Sequence, residues 1–268
     1  MTGPHWRLSS LVVVLACLAA SAAGAADVPT TKAPPAPVPL PPPFNWTGFY
    51  FGGNIGGAWG MGSPSVSALV NGVPAFTNFI PTRFGSEPTS WIGGVQAGYN
   101  YQYGQAVVGI EGDIDWTDLS RQATTTITGA AAPFSVTSTG MARLDWIGTL
   151  RGRVGYAFAW DNRMLVYGTG GLAYAGVTNA GTVTFNTIGQ EWSATNNPTA
   201  FGWTVGGGLE YALTDNVTIR GEYLFYDLSN EKFTTAANGP AAAAFPATFT
   251  IKTDYQGSIA RAGVNVKW

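Results

Sequence analysis

The sequence predicts an all-β fold, an eight-stranded antiparallel transmembrane β-barrel preceded by a cleaved signal peptide and a Pro-rich segment. Three observations predict it. Charged residues make up only 10% of the 268-residue chain, where a soluble globular domain carries roughly a quarter. The chain is rich in Gly (36) and in Trp, Tyr and Phe (10, 11 and 14), a composition that disfavours helix and suits sheet. From Phe44 onward, segments of alternating polarity recur, joined by short and long connections in turn. The apolar fraction is an ordinary 46% and the one long apolar run lies at the N-terminus, which excludes a polytopic helical membrane protein. A net charge of -2 gives no footprint for nucleic acid.

Arg7 precedes LVVVLACLAA (Leu11 to Ala20) and the small-residue run SAAGAAD, the layout of an export signal cleaved near Ala26. The apolar run is shorter than the ~20 residues a spanning helix needs. Cleavage would remove His5 and Cys17, the only His and the only Cys, and of the 13 basic residues only Arg7. The mature chain then has no disulfide framework and lacks the commonest general base and metal ligand. KAPPAPVPLPPP (Lys32 to Pro43) reads as an extended spacer. The expected organisation is therefore a signal peptide over 1–26, a Pro-rich periplasmic linker over 27–43 and a barrel over 44–268.

The expected strands run near Trp46 to Gly60, Thr89 to Tyr103, Ala106 to Thr117, Met141 to Phe158, Arg163 to Thr178, Ala200 to Leu213, Asn216 to Leu228 and Asp254 to Trp268. Gly104-Gln105, Ala159 to Asn162 and Thr214-Asp215 make turn-length connections after strands two, four and six. The other connections are long and rich in Thr, Ser, Ala, Asn, Pro and Gly. Such alternation is expected of a barrel with both chain ends and the short turns on the periplasmic side and long loops outside. Lipid offers no hydrogen-bond partner, so the strands must pair into a closed sheet.

Parity separates two faces. In Met141 to Phe158 the even positions, Ala142, Leu144, Trp146, Leu150, Val154 and Tyr156 among them, suit lipid, whereas Arg143, Asp145, Arg151 and Arg153 do not. Val108, Ile110, Ile114 and Trp116 oppose Glu111, Asp113 and Asp115. Trp203, Val205, Leu209 and Tyr211 oppose Glu210; Ile219, Tyr223 and Phe225 oppose Arg220 and Glu222; Val264, Val266 and Trp268 oppose Arg261 and Lys267. The strands at Trp46 and Arg163 are too Gly-rich for parity to decide. Aromatics gather near strand ends, as in Tyr99, Tyr101 and Tyr103, or Tyr156 and Phe158, where the two interfaces of a bilayer lie. A soluble lipocalin-like barrel would turn the apolar set inward. Too many large aromatics sit on the uncharged face for an eight-stranded interior to hold, so that face is placed outside.

The expected inward charge network is then Glu111, Asp113, Asp115, Asp145, Glu210 and Glu222 with Arg143, Arg151, Arg153, Arg220, Arg261 and Lys267. An interior only wide enough for side chains obliges such charges to pair. A salt-bridged, closed lumen is the first expectation and a narrow channel for small solutes the alternative. Asp113 and Asp115 share a face as a glycosidase pair would, but with Arg neighbours structural pairing is the better account. No catalytic residue, metal site or cofactor is expected: no metal-ligand spacing is present, and the Gly-rich GGNIGG (Gly52 to Gly57) is not followed by a helix pattern.

NWTGFYFGGNIGGAWG (Asn45 to Gly60), RGRVGYAF (Arg151 to Phe158), YGTGGLAY (Tyr167 to Tyr174), GWTVGGGLEYAL (Gly202 to Leu213), RGEYLFYDL (Arg220 to Leu228) and ARAGVNVKW (Ala260 to Trp268) together resemble the small OmpA-like outer-membrane barrels of alphaproteobacteria, often called porin-family proteins. The resemblance covers the whole mature chain. It implies an abundant, non-enzymatic structural protein of the outer membrane, expected as a monomer among membrane lipid and lipopolysaccharide, with surface ligands expected on the loops. Some members bind haem; His ligation has no support in a mature chain without His. The resemblance also implies that the terminal aromatic is the signal read by the barrel-assembly machinery, a role that falls here to Trp268 where Phe is usual. Deleting Trp268 should lower the amount of folded protein in the outer membrane, and undiminished surface levels would refute that role.

Overall fold

The computed structural model describes residues 42–268 apart from 61–64, 71–72, 76–87, 129–134, 160, 188 and 236–246. The expected signal peptide, and the linker up to residue 41, lie outside the described residues. Described secondary structure is entirely strand: β1 (Gly48–Trp59), β2 (Ser65–Val70), β3 (Val73–Ala75), β4 (Thr89–Tyr103), β5 (Ala106–Thr128), β6 (Ser135–Phe158), β7 (Met164–Phe185), β8 (Gln190–Asn196), β9 (Thr199–Ala212), β10 (Val217–Thr235) and β11 (Ala247–Lys267).

Eight of these form a ring in the order β1-β4-β5-β6-β7-β9-β10-β11, every neighbour antiparallel. Pairing of β1 with β11, from Tyr50↔Lys267 to Trp59↔Ser258, closes it and leaves no edge in the spanning region. The expected strand over Thr89 to Tyr103 matches β4 in full. β1 is shorter than expected and β9 is as long as expected, but β5, β6 and β7 outrun the expectation at 23, 24 and 22 residues. Part of each expected long loop is thus sheet, to which β8 adds beside β7, and β2 and β3 beside β11. Thr-rich runs such as Thr124 to Thr128 were indistinguishable by composition from loop, yet β-branched residues are good strand formers once a neighbour supplies the ladder.

The outward face carries Phe51, Ile55, Val108, Ile110, Leu150, Val154, Leu172, Leu209 and Val264, all exposed. Trp91, Trp116, Trp203 and Tyr223 are exposed toward the long-hairpin end, and Phe49, Tyr101, Tyr103, Tyr156 and Trp268 toward the short-turn end. On β5 the apolar band from Val108 to Trp116 stands roughly 20 Å tall, allowing about 3.4 Å per residue and a tilt of about 40°, near the ~25 Å of an outer-membrane barrel. The Gly-rich strands gain a parity that composition had hidden. In β1 Tyr50 and Ala58 are buried and Phe49, Phe51 and Ile55 are exposed; in β7 the odd positions Leu165, Tyr167, Ala173, Ala175 and Val177 point in.

One face assignment is corrected. β6 shifts register between Leu144 and Trp146 against β7, and β5 shifts between Trp116 and Leu119 against β6. A bulge at Asp145 switches the faces of β6, because an extra residue breaks a period of two. Below it the odd residues Thr149, Arg151 and Arg153 are buried; above it Ala142 and Leu144 are. These two line the interior and do not face lipid.

The interior fills in three layers. At the long-hairpin end, Ile92, Leu119, Leu144, Ile147, Val177, Leu224, Leu228, Tyr255 and Ile259 form an apolar cluster. Polar and charged groups occupy the middle. At the short-turn end, Phe44 and Trp46 pack with Val107, Ala157, Leu165, Tyr167 and Ala212. The chain enters β1 only at Gly48, so Trp46 belongs to a plug and not, as expected, to the first strand. The Phe44 amide donates to Asp161 O (2.7 Å), the Trp46 amide to Gln102 Oε1 (2.7 Å) and the Trp46 indole N–H to Asn162 O (2.8 Å). Asn162 itself has φ 58°, a left-handed turn conformation that Asn tolerates. Trp46, only 1% exposed, is therefore held by both its polar and its apolar surface. Trp46→Ala should destabilise the barrel by ~3–5 kcal/mol, the usual effect of emptying a packed aromatic site, read as a lower midpoint in heat-modifiable gel mobility.

Candidate functional site

The middle layer is built by the inward positions of all eight ring strands. Even positions of β1, β4, β9 and β10 and odd positions of β5, β6, β7 and β11 point there, which gathers Glu111, Asp113, Asp115, Glu210 and Glu222 with Arg151, Arg153, Arg220 and Arg261. All of them are buried.

Arg151 sits at the centre, its guanidinium 2.6 Å from Glu111 Oε1, 2.7 Å from Asp113 Oδ2 and 3.0 Å from Glu222 Oε1. Its Nε donates to Thr149 Oγ1 (2.8 Å), and Thr149 donates to Asp113 (2.8 Å). Arg261 meets Asp113 (2.9 Å), Glu222 (2.7 Å) and Asp115. Arg153 reaches Glu210 (2.8 Å) and Glu111 (3.4 Å), with its guanidinium carbon 4.0 Å from the centre of the Tyr167 ring. Arg220 pairs with Glu111. β5 and β10 are opposite members of the eight-strand ring, so the Glu111–Arg220 pair crosses the full width of the lumen. The Arg151–Glu222 and Arg261–Asp113 pairs cross most of it.

Carboxylates outnumber guanidiniums by one in this layer, and neutral donors supply the rest. Tyr50 Oη donates to Glu111 (2.6 Å), Tyr167 Oη to Glu222 (3.1 Å) and Asn265 Nδ2 to Glu210 (2.8 Å). Gln96 then bridges to Asn265 (2.8 Å) and Asn54 to Gln96 (2.7 Å). Two glycines make room for the tyrosines. A Cβ on Gly98 would fall 2.4 Å from Tyr50 Oη, and one on Gly208 2.6 Å from Tyr167 Oη. Sequence reasoning missed Tyr50 and Tyr167 because Gly-rich neighbours hid the parity of β1 and β7; inward glycines opposite them were the available signal. It also missed the apolar layer, whose residues look like any lipid-facing set until the bulge is known.

Three of the expected network members lie elsewhere. Arg143 and Asp145, at the bulge, turn away from the lumen, where Arg143 Nε pairs with Asp145 (2.8 Å) and with Asp118 (3.1 Å) above Trp116. Lys267 is at the short-turn end, its Nζ 5.2 Å from the Phe44 ring centre. Outside the barrel wall, Arg163 in the β6–β7 turn holds Asp215 (2.7 Å) and Asp161 (2.9 Å), and these partners raise its already high pKa. Among the described residues no group of three or more His, Cys, Asp or Glu side chains could hold a metal ion. Trp268 is 69% exposed beside the β1–β11 seam, with its amide donating to Phe49 O (3.1 Å).

Residues 11–267 match the model of the outer membrane protein beta-barrel domain. The chain belongs to this family. It is 34% identical over 235 residues to a 31 kDa outer-membrane immunogenic protein of Brucella melitensis, covering 86% of this chain and 91% of the relative. A 22 kDa outer membrane protein of Rhizobium leguminosarum is 34% identical over 198 residues, 73% of this chain and 70% of that one. The crystal structure of the outer membrane protein OprG from Pseudomonas aeruginosa aligns with a TM-score of 0.45 at 14% identity, covering 84% of this chain and 98% of that one. Family membership and the Brucella relative make the protein an integral outer-membrane β-barrel.

Removing one partner of a buried ionic network leaves the others uncompensated, at a cost of about 3–5 kcal/mol. Arg151→Met should accordingly lower the urea midpoint of unfolding from micelles by a large margin. Arg163→Ala, at a half-buried turn position whose ion-pair partners are solvent-accessible, should lower that midpoint far less; equal effects of the two would overturn the central place of Arg151.

Proposed function

We propose that this outer-membrane barrel is a non-enzymatic structural protein with a closed lumen, its short turns periplasmic and its long hairpins displayed at the cell surface. The observation that carries the closed lumen is the Glu111–Arg220 pair across its width, backed by an apolar layer on one side and the Phe44–Trp46 plug on the other. A solute path would have to break ion pairs in a low-dielectric interior, which is costly without water to replace them. The β5–β6 hairpin rises roughly 30 Å beyond Trp116, at about 3.4 Å per residue and the same tilt, enough to present a surface for interaction outside the cell. That the Brucella relative is named an immunogenic protein supports such display. Membrane lipid and lipopolysaccharide are its proposed surroundings, the protein a monomer, and Trp268, exposed beside the β1–β11 seam, the group offered to the barrel-assembly machinery.

Purified protein in planar bilayers should give no steady single-channel openings, whereas Glu111→Ala combined with Arg220→Ala should introduce flickering current. Steady openings of the unmodified protein would favour the alternative, a narrow channel for small solutes.

A further inference from the structure

Following the outward face of β5 toward the long-hairpin end, the chemistry changes in three steps. Ile110, Ile114 and Trp116 are apolar, with Ile110 and Trp116 well exposed. Immediately beyond lies the Asp118–Arg143–Asp145 cluster. Past it the same face of β5 exposes Ser120, Gln122, Thr124 and Thr126. Strand register then repeats the hydroxyls sideways. Thr124 pairs with Thr139 and Thr139 with Thr182; Thr126 pairs with Thr137 and Thr137 with Thr184. Two rows of three threonines result, on a sheet whose other face is buried through Val136, Ser138, Val177 and Val183.

The array is pre-organised. Thr124 and Thr139 hydroxyls lie 3.0 Å apart and Thr126 and Thr137 2.9 Å apart, with Asn186 Nδ2 donating to Thr137 Oγ1 (3.0 Å). Each hydroxyl has one donor and two acceptor sites, so a hydroxyl pair satisfied internally by one bond still offers a proton and several lone pairs. Threonine is stiff at χ1, and strand geometry spaces the rows about 7 Å apart along the chain and about 4.8 Å across it. The six threonines form an uncharged patch, bordered by Glu191 of β8 opposite Thr184, on a lateral face that points along the membrane plane and not toward the hairpin tips. In the orientation proposed above, its neighbours at that height are the sugars of the outer-leaflet glycolipid, beneath which lie charged headgroups and then acyl chains. The sequence of outward residues follows the same order.

We propose that the Thr124/Thr126/Thr137/Thr139/Thr182/Thr184 face is a binding surface for the core oligosaccharide of neighbouring lipopolysaccharide, recognising sugar hydroxyls through a lattice of its own. This rests on the surface-facing orientation of the hairpins and is independent of whether the lumen conducts. The test is titration of the purified full-length protein in detergent micelles with two probes, core-bearing lipopolysaccharide and lipid A without core sugars. The unmodified protein should prefer the core-bearing probe by about tenfold or more. Replacing Thr124, Thr126, Thr137 and Thr139 together by Val, which keeps shape and strand propensity, should bring that preference to within about twofold, whereas the same four changed to Ser should keep it. Heat-modifiable mobility shows that each variant is folded. Equal binding of both probes, or a preference that survives the Val variant, overturns the proposal. Orientation is read separately: Thr126→Cys in the otherwise Cys-free mature chain should react with a membrane-impermeant maleimide on intact cells. Labelling only after the envelope is opened would sink the orientation and this proposal with it, while leaving the conductance result untouched.

Discussion

A hydrocarbon environment offers a backbone N–H or C=O nothing to bond to, and each unpaired group there costs several kcal/mol. The seam between β1 and β11 removes the last two rows of such groups. The internal arrangement follows from that closure. Eight strands close on a narrow lumen; a narrow lumen has to be filled; and inward side chains, cut off from lipid, are the residues that can be polar. The chain's sparse charge is thereby concentrated where it can be paired, with Glu111, Asp113, Glu210 and Glu222 each in contact with at least one of Arg151, Arg153, Arg220 or Arg261.

Several of those pairs link strands that share no backbone ladder. Glu111 on β5 and Arg220 on β10 belong to opposite walls, and Arg153 ties β6 to Glu210 on β9. Ladder bonds fix each strand against its neighbours, whereas cross-lumen pairs fix the cross-section. A shared partner makes each pair depend on the others: Arg151, Arg261 and Arg220 all approach Glu222. Buried ionic groups are a poor source of stability relative to an apolar filling, so this layer is better understood as setting a unique, closed cross-section. Apolar packing on either side, at Ile147 and Leu224 above and at Trp46 and Leu165 below, supplies the burial that polar groups do not.

The bulge at Asp145 divides the molecule. Below it β6 sends Arg151 and Arg153 inward; above it the same strand sends Leu144 and Ala142 inward and leaves Arg143 to pair with Asp118 outside. A single extra residue thus moves charge from lumen to surface at the height where the apolar band ends at Trp116. Beyond that level the sheet is free to carry polar residues on its outward face, and it carries threonines.

Much of the fold and the greater part of the site were legible in the sequence, because a period of two combined with alternating long and short connections is compatible with few folds besides a closed antiparallel barrel. Residue pattern alone sufficed for the barrel class, for β4 to its ends, and for the lipid-facing rows of β9, β10 and the lower part of β5. It also sufficed for the inward direction of Glu111, Asp113, Asp115, Arg151, Arg153, Glu210, Arg220, Glu222 and Arg261. Closure in three dimensions settled what remained. Arg143 and Asp145 leave the interior through a register shift that alternation cannot announce, since parity counts residues and a bulge adds one without changing composition. Tyr50 and Tyr167 find their carboxylates because glycines on neighbouring strands leave space, and Phe44 with Trp46 becomes a plug because turns distant in sequence supply Asp161, Asn162 and Gln102 as acceptors. Such contacts join residues many tens of positions apart. They stay invisible in the chain because local pattern encodes a face, whereas the closing of the ring decides which side chains meet across it.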